Sequence, residues 1–298
     1  MPVSVYGHAY NDKGVSMLTI ASVQLTSQNN LADNLRTIER AIRTAKAADA
    51  DFVVLPENAC YMGRQADIAP MFERLSDELA RLAQRYSVHL LAGTLPCPHR
   101  PTGEMIDGKL RQSSLLFDDN GALLQRYDKL HLFRAEVGDS VGSYDEGRTF
   151  EAGEMPVVAE CVIHGTSVRV GMMVCFDLRF ANLAHKLRAM GADILVAPSA
   201  FTFATGQANW AMLLSARALD AQCLVVGAAQ GGEHTTGNST RATWGHSAIV
   251  AADGAVLATT GRSACGEQGY LLALAPFNKA DQQQIRARLP VFDCMRTF

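Results

Sequence analysis

Three side chains of different chemistry stand at the ends of expected strands in this 298-residue sequence: Glu57 after FVVLP, Lys129 after LLQRYD and Cys175 after GMMV. Together they could carry out acyl transfer. A thiol attacks well only as thiolate, so it needs a base. A carboxylate near a buried lysine can take that proton, and the ammonium can then hold the oxyanion formed when sulfur attacks a carbonyl. Each residue also has a purely structural reading. Free cysteines are among the most buried residues, and buried ones are usually inert. A glutamate after a strand can cap a helix. Lysine usually stays on the surface, and Arg126, Asp128 and His131 stand close to Lys129 in the chain. The set is more specific than its members, because ligands of α/β sheets bind where strands end.

Positioning three such groups requires a regular alternation of elements, and the sequence has one. MLTIASVQL (17–25) reads as a strand. Leu31, Leu35, Ile38, Ile42 and Ala45 follow at helical spacing behind Asn30, a candidate N-cap. FVVL (52–55) is a short buried strand. A second helix carries Phe72, Leu75, Leu79, Leu82 and Tyr86, and VHLLAGT (88–94) is the next strand. SSLLFDD and ALLQRYD flank Asn120-Gly121, a hairpin signal; VVAECVIH and TSVRVGMMVC flank His164-Gly165 in the same way. The Gly-, Asp-, Glu- and Ser-rich stretch 134–155 reads as a loop of functional length. A helix over 179–190 ends at Gly191, a C′ glycine. ILVAPSAF, a helix over 207–221 and CLVVGAAQ follow, then a glycine-rich loop (231–242), the strands WGHSAIVA and AVLATT about Asp253-Gly254, a last strand GYLLALA and a last helix over 278–289. Each half repeats strand–helix–strand–helix–strand and closes with hairpins. Continuously apolar strands call for cover on both faces. The expected fold is one α/β domain of two sheets between helix layers, over residues 17–298, with residues 1–16 as an aperiodic polar extension.

With 48% hydrophobic and 19% charged residues and a net charge of −3, the chain has no electrostatic signature for nucleic acid or an anionic membrane. No apolar stretch approaches the roughly 20 residues that span a bilayer, and the N-terminus lacks the features of a signal peptide. Seven widely spaced cysteines without a CxxC pair argue against a disulfide framework or a structural zinc site. Reduced thiols in the cytoplasm fit better.

LPEN (55–58), YDKLHLF (127–133) and GMMVCFDLRF (171–180) closely resemble, in order and context, the Glu-Lys-Cys signatures of the nitrilase superfamily, the carbon–nitrogen hydrolases. PSAFTFATG (198–206), SARALDAQCLVVGAAQ (215–230) and WGHSAIV (244–250) extend the resemblance from about residue 17 to about residue 292. It implies a four-layer αββα sandwich that forms a homodimer or higher homo-oligomer. It assigns Cys175 as nucleophile, Glu57 as the group that takes its proton and later activates water, and Lys129 with the Phe176 backbone N–H as oxyanion donors. Glu146 in YDEGRTF matches a second glutamate that positions the amide or tunes Glu57. No metal or organic cofactor is implied. Where true nitrilases read CWE, this chain reads CFDLRF, similar to the amidase branch that includes omega-amidases and, closer in its other motifs, deaminated-glutathione amidases. The implied reaction hydrolyses the terminal amide of a small 2-oxo-acid-type carboxylated substrate to acid and ammonia through a thioester on Cys175. Arg179, Thr202 and Thr205 are candidates by position to anchor the substrate carboxylate, although Arg179 could equally serve a salt bridge behind the nucleophile. The chain departs from the family at Ala181-Asn182, usually Pro-Glu, and at Asn209-Trp210-Ala211, usually HWE. Three other readings stay open: a nitrilase or an N-carbamoyl hydrolase of the same superfamily, and a non-catalytic homodimeric binding protein, for which the altered Asn209-Trp210-Ala211 is the only support.

Overall fold

The structure, a computed structural model, describes residues 17–138, 142–236 and 239–296. The extension expected over residues 1–16 lies outside the described residues. Strand β1 (Leu18–Leu25) alternates between two cores: Leu18 and Ile20 enter one, while Ala21, Val23 and Leu25 enter the other. A strand buried on both faces needs a layer on each side, and the rest of the chain supplies them. Helix α1 (Leu31–Ala47) starts where the Asn30 side chain accepts the Asp33 N–H, and it buries Ile38, Ala41, Ile42 and Ala45. Strand β2 (Phe52–Val54), helix α2 (Phe72–Tyr86) and strands β3 (His89–Leu91), β4 (Leu95–Cys97), β5 (Arg111–Phe117) and β6 (Leu123–Asp128) complete the first half. Two short strands, β7 (Arg134–Glu136) and β8 (Ser143–Asp145), pair within the stretch expected to be a loop.

The second half repeats the plan with β9 (Val157–Ile163), β10 (Thr166–Met172), α3 (Ala181–Ala189), β11 (Ile194–Val196), α4 (Phe203–Ala221) and β12 (Leu224–Gly227). Strands β13 (Gly231–Thr236), β14 (Ser239–Trp244), β15 (Ala248–Val250), β16 (Val256–Thr259) and β17 (Tyr270–Phe277) follow, then helices α5 (Lys279–Arg288) and α6 (Val291–Cys294). One sheet runs β17-β1-β2-β3-β5-β4, with β6 on β5; the other runs β16-β15-β12-β11-β10-β9. In each sheet three successive strands are parallel, β1-β2-β3 and β10-β11-β12, flanked by antiparallel partners. One core, with Ile38, Leu75 and Leu79, lies between the first sheet and α1 and α2; the other joins the two sheets to α3 and α4. The order is therefore helix, sheet, sheet, helix, the αββα sandwich the sequence implied.

Both hairpin expectations hold. β5 pairs β6 across Gly121, and β9 pairs β10 across His164 and Gly165, both at positive φ as a tight two-residue turn requires. Two helix starts and one loop differ from expectation. The helix expected from residue 179 begins at Ala181, because residues 175–179 form a 3₁₀ turn. The helix expected from residue 207 begins at Phe203, where the Thr202 hydroxyl accepts the Thr205 N–H; Thr205-Gly206 hid that first turn from the apolar period. Within the glycine-rich segment 231–242, residues 231–236 and 239–242 pair as parts of β13 and β14, pinned by buried His234, whose ring lies 2.6 Å from both the Ser27 carbonyl and the Thr243 hydroxyl.

Candidate active site

The parallel strands of both sheets run out toward one pocket. Beyond β2 the chain passes Pro56 and delivers Glu57, which is only 2% exposed. Gly93, at φ +67°, makes this possible: a Cβ there would stand 2.0 Å from the Pro56 carbonyl oxygen. Beyond β6 comes Lys129, whose side chain is wholly buried. Its Nζ lies 2.9 Å from Glu57 Oε1 and 2.8 Å from Glu146 Oε2. Gln112 Nε2 donates to Glu57 Oε1 at 2.9 Å, and Gln230 Nε2 donates to the Glu57 carbonyl at 3.0 Å. The Phe133 N–H donates to Glu146 Oε2 at 2.7 Å. One ammonium thus sits between two carboxylates in a fixed lattice of donors.

Beyond β10, Met173 and Val174 carry the chain to Cys175, which adopts φ +49°. A non-glycine residue there is strained, by about 1–3 kcal/mol. The surroundings hold it: Cys175 N donates to the Pro198 carbonyl at 2.9 Å, and Val174 N donates to Asp177 Oδ2 at 2.9 Å. Asp177 is fully buried and also accepts from the Tyr127 hydroxyl at 2.7 Å, the His131 N–H at 3.0 Å and His131 Nδ1 at 2.6 Å. Asp177 positions the nucleophile turn and ties it to the segment that carries Lys129. Removing a carboxylate with this many buried donors costs about 3–5 kcal/mol. Asp177→Ala is therefore expected to lower chemical-denaturation stability by that amount, and an unchanged midpoint would refute the role.

The pocket, about 390 Å³ including its mouth, is lined by Glu57, Glu146, Cys175, Phe176, Arg179, Thr202 and Thr205, together with Asn58, Phe133, Ala200, Phe201 and Arg241. Every side chain proposed from sequence lines it except Lys129, which lies behind the two carboxylates. Thr202 caps α4, and its Oγ1 lies 2.8 Å from Thr205 Oγ1, so part of their bonding capacity is already used. Arg179 donates to Asn209 Oδ1 at 3.2 Å and stacks on Phe201 at 5.6 Å; among the described residues no carboxylate pairs with it, so the salt bridge entertained from sequence is absent there. Asn209 belongs to the altered tripeptide. Among the described residues, no cluster of three or more His, Cys, Asp or Glu could hold a metal ion.

Electrostatics separate the protonation states. Burial pushes the Cys175 thiol well above its usual 9.0, and the Glu57 charge adds to this; Lys129 and the Ala200 N–H oppose it. Burial also raises Glu146, helped by Glu57 and opposed by Lys129. Burial alone would lower Lys129, but Glu146 and Glu57 outweigh it and keep the ammonium charged. The resting thiol therefore holds its proton at neutral pH. The folded Cys175 value lies above the unfolded one, so stability from this group is full below about pH 9 and declines as pH rises toward the folded value. The thiolate absorbance near 240 nm, taken as wild type minus Cys175→Ala, is expected to appear only above pH 9. A full signal at pH 7 would contradict this.

The family model for carbon–nitrogen hydrolases matches residues 19–286, nearly the whole described chain. The chain belongs to the carbon–nitrogen hydrolase family. It is 40% identical over 243 residues to the deaminated glutathione amidase of Yersinia enterocolitica, covering 80% of this chain and 81% of that protein. It is 35% identical to the probable hydrolase nit2 of Schizosaccharomyces pombe, over 81% of this chain and 86% of that one. Among solved structures, the Caenorhabditis elegans NitFhit protein superposes with a TM-score of 0.79 at 31% identity, over 95% of this chain; the chain spans 66% of that longer protein. This carbon–nitrogen hydrolase is thus an enzyme of the amidase kind within the nitrilase superfamily, on the αββα fold its motifs implied. Sequence reasoning missed Gln112, Gln230, Asn58 and Arg241. For Asp177 a signal was present in CFDLRF, but its role depends on donors some 46 and 50 residues away.

Proposed function

We propose that the enzyme hydrolyses the amide of a small 2-oxo-acid-type carboxylated substrate, of which deaminated glutathione is the leading example, through a Glu57-Lys129-Cys175 triad. The observation that carries this reading is the pairing of Lys129 with both Glu57 and Glu146 in a pocket that also holds Cys175 and an arginine, Arg179, that no carboxylate pairs with among the described residues. Arg179 anchors the carboxylate of the acyl half, and Thr202 and Thr205 border it. Glu57 takes the thiol proton as sulfur attacks the carbonyl. Lys129 and the Phe176 N–H hold the oxyanion. Glu57 then gives its proton to the departing nitrogen, which leaves as ammonia from a primary amide or as an amine from a secondary one. A water activated by Glu57 releases the acid from the thioester. Glu146 shares the ammonium with Glu57 and positions the substrate amide.

A panel of 2-oxo-acid amides, simple amides, nitriles and carbamoyl compounds tests this. Turnover confined to carboxylated amides is expected; turnover of nitriles or carbamoyl compounds alone would overturn it. We further propose a homodimer or higher homo-oligomer acting in the cytoplasm, with residues 17–298 as a single domain. Met212 and Leu219 on α4 and Val256 and Leu257 on β16 are exposed apolar residues, and Leu219 adjoins the Gly254 turn. Six of the seven cysteines are buried and all are free, which suits a reducing compartment. A monomer at micromolar concentration in sedimentation velocity would contradict the oligomer.

A further inference from the structure

Two buried glutamines hold Glu57, and the motif reading gave neither a role. They hold it in different ways. Gln230 Nε2 reaches Glu57 only at its main-chain carbonyl, at 3.0 Å. Gln112 Nε2 donates to the carboxylate itself, at 2.9 Å from Oε1. Gln112 is 2% exposed and stands on β5, which pairs with β6 just before Lys129. Its main-chain carbonyl accepts the Lys129 N–H at 3.0 Å. One residue therefore holds the base by its side chain and the lysine by its backbone. The side chain is oriented against its own interest. Besides Glu57, Nε2 has only long contacts, 3.4 Å to Asn58 Oδ1 and to Thr94 Oγ1, and Oε1 is buried with no hydrogen-bond partner among the described residues. Turning the amide over would set its carbonyl against a carboxylate, two acceptors in contact, so the N–H side must face Glu57. An orphaned buried carbonyl is destabilising. What it maintains here is a donor on Glu57.

A count of donors shows what this bond is for. The Lys129 ammonium has three N–H groups. Glu57 and Glu146 engage it at 2.9 and 2.8 Å, and in the triad reading the oxyanion takes the remaining N–H. Glu57 Oε1 receives both Lys129 and Gln112, whereas no group donates to Oε2 among the described residues. We infer that Gln112 is a positioning residue that locks Glu57 Oε1, so that Oε2 faces the Cys175 thiol and the amide nitrogen. The inference rests on the triad reading above. Oε2 takes the thiol proton as the Cys175 S–C bond forms and passes it to the nitrogen as the amide C–N bond breaks. Water then splits the thioester, with no other co-reactant. A donor to a carboxylate also favours the charged form over the acid, so the same bond supports the base. Lys129, Glu146 and Cys175 are the titratable groups around Glu57, and substitutions of Gln112 leave all three in place.

The test follows ammonia release from the far-end primary amide of 2-oxoglutarate across about pH 5 to 9, the span in which a profile reports an essential base. Gln112→Met is expected to lower kcat/KM at neutral pH by roughly 10- to 100-fold, the range of one hydrogen bond to a charged group. The loss should fall on kcat with KM little changed. The acid limb should move up by about one pH unit, so that the loss shrinks as pH rises. Gln112→Glu keeps the shape and sets a second carboxylate against Glu57, so its limb should move further in the same direction. It carries the test if Gln112→Met fails to fold. Gln230→Met leaves the donors of the carboxylate intact, and should lower kcat by one factor at every pH with the limb in place. If the Gln112 variants lose activity uniformly with the limb unmoved, or Gln230→Met moves it as far, Gln112 is structural and the inference is overturned while the triad stands. Wild-type kinetics in Gln112→Met overturn it too. If Glu57→Gln keeps the wild-type profile, the triad reading falls, and the inference with it.

Discussion

Cys175→Ala is expected to abolish amide turnover while leaving the fold intact. Loss of a hydrolase nucleophile costs on the order of 10⁶-fold in kcat, and no other group in the pocket can form the acyl intermediate. Glu57 and Glu146 are both engaged by Lys129, and among the described residues neither threonine has a base beside it. The substitution should cost little stability. The sulfur borders the pocket, and the strained turn is held by backbone bonds and by Asp177, none of which uses the thiol. Circular dichroism and a denaturation curve close to wild type, together with lost turnover, are the expected pair. Turnover within tenfold of wild type would remove Cys175 from the nucleophile role.

Lys129→Met is expected to damage both catalysis and stability. Without the ammonium, Glu57 and Glu146 face one another in a buried site, and at least one must take up a proton. Breaking a buried charge pair costs about 3–5 kcal/mol. Catalysis loses an oxyanion donor, worth about 10²–10³ in kcat, and the base is disturbed as well, so kcat should fall by at least about 10³-fold. Adding Glu146→Gln separates the two effects. The double variant should regain part of the stability, because one of the two uncompensated carboxylates is gone, yet remain as inactive as the single one. Recovery of activity along with stability would mean that Lys129 acts only as a structural counter-ion. Paired denaturation and kinetic measurements on the three variants decide this.

Much of this arrangement is legible in the sequence because it is local. The period of Leu31, Leu35, Ile38, Ile42 and Ala45 and the Asn30 cap mark α1, and His164-Gly165 marks a hairpin that pairs in register. Glu57, Lys129 and Cys175 are legible because each follows a stretch that reads as a strand. The parts that were not legible depend on distant partners. Segment 231–242 looks like a glycine-rich loop until His234 meets Ser27, 207 residues away. Gln112 and Gln230 are neutral amides with no local pattern, and they matter only because they hold Glu57 from 55 and 173 residues away. The start of α3 was misplaced because nothing in CFDLRF signals a left-handed cysteine; that conformation is imposed by Pro198 and Asp177. Arg241 was passed over for the same reason, since its pocket wall comes from Tyr144 and Ala200.

The central claim is the thioester on Cys175. Rapid acid quench of the wild-type enzyme during turnover of a carboxylated amide, followed by peptide mass mapping, tests it most directly. The account predicts an acyl group, the substrate less its departing amine, on the peptide that contains Cys175. Turnover with that peptide unmodified, or with the acyl group on another residue, would contradict it.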